Sequence, residues 1–156
     1  ETPVLEDEVT LAGDILAKLK VATTGTAADW VVKVIDVFPH DMETTDDVQD
    51  HLKLSNYHMM VRSEVLRGRF RNSMKNPKPF LPNKKTDINL KLQDVFHTFK
   101  KGHKIQIQIQ STMFPYIDAN PQTYVDNIFE AKEEDFKVQT HSVFNDSSVE
   151  FTVLKN

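Results

Sequence analysis

HTFKKGHKIQIQIQSTMFPYIDANPQ, residues 97–122, decides the fold through its middle: Ile105, Ile107 and Ile109 alternate strictly with Gln106, Gln108 and Gln110. Successive side chains of a strand point to opposite faces, so this is the pattern of a half-buried strand with its isoleucines turned inward. The same period of two recurs along the chain. Ile15, Ala17, Leu19 and Val21 alternate with Leu16, Lys18 and Lys20, and Ile88, Leu90 and Leu92 alternate with Asn89 and Lys91. Near the end, Val149, Phe151 and Val153 alternate with Glu150 and Thr152. WVVKVIDVF, residues 30–38, is instead apolar on both faces. It predicts a central strand covered on both sides, in which Asp36 needs a partner.

Turn signals separate these runs: Gly13-Asp14, Thr24-Gly25-Thr26, Pro39-His40-Asp41, Pro82-Asn83, Lys101-Gly102 and Asn120-Pro121. With residues 8–11, 59–70 and 140–144 added, about eight strands are expected, in an all-β sandwich of jelly-roll type. Only residues 124–136 have helical spacing, through Val125, Ile128 and Phe129, and they predict one short helix. Residues 41–56 are polar and acidic and predict a long surface loop. No repeat or break in composition divides residues 1–156, so one domain is expected.

The formal net charge of −4 argues against a partner with a phosphate backbone, so no nucleic acid is expected. No apolar run approaches the roughly 20 residues of a membrane span, and no membrane partner is expected. The absence of cysteine removes disulfides, thiolate metal sites and cysteine nucleophiles together. ETPVLEDEV, residues 1–9, is acidic and carries no basic-then-apolar leader pattern. A first residue of Glu1 rather than methionine suggests a piece of a longer protein.

Catalytic motifs are sparse. A nucleophile elbow needs G-x-S-x-G, but none of Gly13, Gly25, Gly68 and Gly102 flanks a serine in that way. His141 and Ser142 are neighbours in a strand pattern and should face opposite ways. His97 and His103 flank the turn at Lys101-Gly102. They could meet there around a metal, but hydrogen bonding at the turn or at an interface is the favoured reading. The pairs Glu6-Asp7, Asp46-Asp47 and Glu133-Glu134 sit in polar stretches and suit solvated faces. No catalytic residue, cofactor or metal is therefore expected. RSEVLRGRFR, residues 62–71, is the strongest charge feature. As a continuous strand it would set Arg67, Arg69 and Arg71 on one face, suited to carboxylates either within the domain, at Asp36 or Asp118, or on a neighbouring domain.

Three segments carry a resemblance: TGTAADWVVKVIDVFP, MVRSEVLRGRFRNSMKNPKPFLPNK and DVFHTFKKGHKIQIQIQSTMFPYIDANPQTYVDNIFEAK. They resemble the C-terminal domain of the serine hydrolases that include X-Pro dipeptidyl peptidase, cocaine esterase, α-amino acid ester hydrolase and glutaryl-7-aminocephalosporanic acid acylase. The likeness runs from Thr2 to Leu154, and its signature is His97, Thr98, Phe99, Gly102 and His103, then Phe114-Pro115 and Asn120-Pro121-Gln122. The resemblance implies a galactose-binding-like β-sandwich without a triad residue of its own, packed against an α/β-hydrolase domain and a helical cap. It also implies a bacterial, exported or periplasmic parent. The residues expected at the inter-domain contact are Arg67, Arg69, Arg71, Phe114 and Tyr116, since arginine and aromatic side chains anchor tight contacts. The competing expectations are a free-standing carbohydrate-binding module, which the single Trp30 supplies poorly with platforms, and a metal enzyme at His97 and His103.

Overall fold

A computed structural model describes residues 1–42 and 47–155. Part of the expected acidic loop, including Asp46 of the Asp46-Asp47 pair, lies outside the described residues. Among those described there are seven strands: β1 (Val9–Thr23), β2 (Asp29–Val37), β3 (His58–Arg67), β4 (Thr86–Phe99), β5 (Lys104–Gln110), β6 (His141–Val143) and β7 (Ser148–Val153). They form the expected sandwich of two antiparallel sheets. In one sheet β4 pairs with β1 from Val9 to Val21, while β7 and then β6 share β1's other edge. The other sheet has the order β3-β2-β5.

The alternating residues meet between the sheets. Ile15, Ala17, Leu19 and Val21 of β1 and Ile88, Leu90 and Leu92 of β4 pack against Trp30, Val32 and Val34 of β2. Ile105, Ile107 and Ile109 line the same core, so the fold-deciding stretch faces as its period predicts. β2 is buried on both faces, Val31 and Ile35 as well as Val32 and Val34. The outer edge of β5 is partly covered by the chain's first residues, through Thr2 N–H to Ile105 O (3.0 Å) and Leu5 N–H to His103 O (2.8 Å). That pairing satisfies backbone groups an open edge would leave free.

Four expectations change. Gly13-Asp14 is a bulge rather than a turn: the register slips between Gly13 and Ile15, and residues 9–23 form one strand. Gly13 allows this because its φ is +124°, a region closed to side chains with a Cβ. This merger brings the expected eight strands to seven. The expected helix is absent, and residues 128–130 and 133–135 are single 3₁₀ turns, because no apolar face of helical length is available there to bury. Finally, β3 stops at Arg67 and continues as a 3₁₀ turn at Gly68–Phe70, so Arg67, Arg69 and Arg71 do not share a strand face. Gly68 sits so close to its neighbours that a Cβ would lie 2.5 Å from Ala28 O and 2.5 Å from the Phe80 ring.

Candidate functional site

The three arginines fasten two connections at one end of the sandwich, Arg67 and Arg69 the one between β5 and β6 and Arg71 the one between β3 and β4. Arg67 lies between two carboxylates, 3.6 Å from Asp29 Oδ2 and 3.7 Å from Asp118 Oδ2. Asp29 opens β2 opposite Arg67 in register, and Asn120 donates to its other oxygen at 2.8 Å. Residues 118 and 120 belong to the connection that leaves β5 and carries Phe114 and Tyr116, so this cluster ties that loop to the sheet. Asp29 is almost fully buried and its Oδ2 has no hydrogen-bond partner. Burial pushes its carboxyl above the ordinary value, against the opposing pull of Arg67 and Asn120.

Arg69 donates to Val125 O (2.7 Å), Tyr124 Oη (3.0 Å) and Asp126 O (3.2 Å), and its guanidinium stacks on the Tyr124 ring. Arg71 donates to Gly68 O, Lys78 O and Pro79 O and covers the Phe80 ring. Both guanidiniums are thereby committed within the domain. Of the expected contact residues, the structure brings Arg67 together with the loop of Phe114 and Tyr116. Arg69 and Arg71 are directed elsewhere. Phe114 and Tyr116 are 71% and 81% exposed, and a cleft of about 450 Å³ nearby opens between Arg67, Phe70, Met74, Asp118 and Phe129. Phe129 and Met74, also strongly exposed, were not anticipated: Met74 lies in a segment without periodicity, and the helical spacing that includes Phe129 forms only a 3₁₀ turn.

At the opposite end of β2, Asp36 finds the partner it needs. His97 Nε2 lies 2.9 Å from one carboxylate oxygen and His103 Nδ1 lies 2.7 Å from the other. The two histidines therefore hydrogen-bond at the turn, as the favoured reading expects, through a shared aspartate. Among the described residues no group of three or more metal-ligating side chains is assembled. His141 does not address Ser142. Its ring lies edge-on to Trp30 at 5.5 Å, and burial lowers its pKa. The partner of Asp36 was legible as a need but not as an identity, since His97 stands on the other sheet.

The chain matches the family model of the X-Pro dipeptidyl-peptidase C-terminal non-catalytic domain over residues 1–150. It is similar to the cocaine esterase of Rhodococcus sp. (strain MB1 Bresler), 25% identical over 122 residues, which is 78% of this chain and 19% of that protein. Among solved structures it is similar to an α-amino acid ester hydrolase, at 36% identity and a TM-score of 0.90 over 98% of this chain. An aminopeptidase from the marine sediment archaeon Thaumarchaeota archaeon is similar at 37% identity and a TM-score of 0.89 over 99% of this chain. The chain spans 25% of each of those two solved chains.

Proposed function

The chain belongs to the family of X-Pro dipeptidyl-peptidase C-terminal non-catalytic domains, and from that premise we propose that it supports the catalytic part of a serine hydrolase acting on ester or amide bonds. The observation that carries this reading is a near-complete structural match to one quarter of two hydrolase chains, at identities well above those of fold likeness alone. In this role an α/β-hydrolase domain supplies the nucleophile, histidine and oxyanion donors of acyl transfer, and a helical cap completes the substrate entrance. Arg67, through Asp118, stiffens the loop that carries Phe114 and Tyr116, and these two exposed rings face the hydrolase or cap.

The test is an assay of the purified 156-residue chain on p-nitrophenyl esters, aminoacyl esters and X-Pro amides. No turnover above a denatured control is expected. Hydrolysis blocked by a serine-directed inhibitor would overturn the supporting role.

A further inference from the structure

The outer edge of β5 is only half covered. One edge of the strand is paired with β2 along its length. Successive residues of an antiparallel strand address opposite edges with their N–H and C=O groups. Ile105 addresses the outer edge, where its carbonyl accepts from Thr2 N–H (3.0 Å) and its own N–H donates to Thr2 Oγ1 (3.0 Å). Ile107 and Ile109 therefore turn their N–H and C=O groups to the same edge, and among the described residues these groups have no partner. From Ile105 to Gln110 the strand has no charge, proline or glycine, so nothing in its sequence blunts the edge. The free edge of β3 is defended differently. Arg62 reaches across to Asp94 O of β4 (3.0 and 2.6 Å), and Glu64 Oε1 accepts from Val65 N–H (2.9 Å).

We infer that the residues immediately preceding Glu1 in the full-length gene product form a further strand on this edge, antiparallel to β5. The inference rests on the supporting role proposed above, in which this chain is one part of a longer hydrolase. The direction is set by the segment already in place. From Thr2 to Leu5 it runs back along β5, Leu5 N–H donating to His103 O (2.8 Å) and Leu5 O accepting from Gly102 N–H (2.9 Å). Glu1 holds the register, since its carboxylate accepts from Gln106 Nε2 (2.9 Å) and pairs with Lys104 Nζ (3.1 Å). Continued upstream in that register, the residue just before Glu1 lies opposite Ile107, and the third before it lies opposite Ile109. Their backbone groups meet the open ones. Residues directly opposite share a face, and Ile107 and Ile109 face the core, so apolar side chains are expected at those two upstream positions. The upstream segment is tethered beside the open groups at Thr2, which gives it the advantage over a strand from a separate molecule. The β1 sheet has four strands, and the added strand gives the second sheet the same number. Gln110 lies opposite Val31, so the preceding chain arrives from the Asp29–Arg67 end of the sandwich.

Amide hydrogen exchange on the full-length gene product, resolved residue by residue by fragmentation mass spectrometry, tests this. Ile107 and Ile109 are expected to exchange as slowly as Gln106 and Gln108, whose amides face β2. Upstream of Glu1, the amides opposite Ile107 and Ile109 should be slow and the one between them fast, which is the signature of an edge strand. Fast exchange at Ile107 and Ile109 would overturn the added strand and leave the supporting role standing. Slow exchange there without the alternation upstream would also overturn it, since another surface would then cover the edge. Protection lost on dilution would overturn it in favour of a second copy. A gene product with no hydrolase segment before Glu1 would overturn both readings.

Discussion

Asp29 is held with almost no solvent contact, Asn120 on one oxygen and Arg67 beyond hydrogen-bonding distance of the other. Burial disfavours the charged form and outweighs the guanidinium, so the folded protein binds this proton more tightly than the unfolded chain does. Stability from this group is therefore fully present below the ordinary value of 3.8 and is lost as pH rises through the higher folded value. Asp29→Asn removes the titration, so the variant's unfolding midpoint should fall less than the wild type's as pH rises across that window. Urea unfolding at a series of pH values measures this, and parallel curves for the two proteins would contradict it. Such a residue leaves a trace in the sequence, a carboxylate at the mouth of an apolar strand. What cannot be read is the partner, because Asn120 and Arg67 lie 91 and 38 positions away.

At the scale of elements, the bulge at Gly13 shows how far local pattern reaches. Leu92 and Val95 of β4 are both buried, an odd interval of three that keeps both on the core face only because β4 takes up one extra residue opposite Gly13 and Ile15. The sequence marks the place with Gly13-Asp14 but not the outcome, since a glycine before an aspartate also opens turns. Partner strands decide it: β4 on one edge and β7 on the other continue past Gly13 and hold β1 extended. There is space for a methyl group, the nearest side-chain atom being Thr152 Cβ at 3.5 Å, so the cost of a side chain lies in the backbone. Gly13→Ala should destabilise the protein by about 1–3 kcal/mol, the cost of holding a residue with a Cβ in a glycine-only region. A thermal scan showing an unchanged midpoint would mean that the bulge relaxes. The missing helix has a related explanation: Val125, Ile128 and Phe129 are spaced for a helix, but Arg69 draws the backbone carbonyls of Val125 and Asp126 outward to itself.

For the whole molecule, one apolar cluster joins both sheets, with Trp30 and Phe80 packed against Leu19, Ile88 and Leu92. Neither sheet has a core of its own, so they should unfold together. Trp30 is the single tryptophan and is buried, and its fluorescence reports the β3-β2-β5 sheet, while far-ultraviolet circular dichroism reports all strands. The two signals are expected to share one midpoint in urea; separate midpoints would show two independent layers. The sequence by itself determined the all-β class, the inward faces of β1, β4 and β5, and the family, because strand period and the signature from His97 to Gln122 are local properties of the chain. Only the tertiary structure decided where Arg67, Arg69 and Arg71 point and that His97 and His103 share Asp36. Those facts depend on which strands lie side by side and in what register. Pairing between distant segments is fixed by burial of the whole core, and no single stretch of residues contains it.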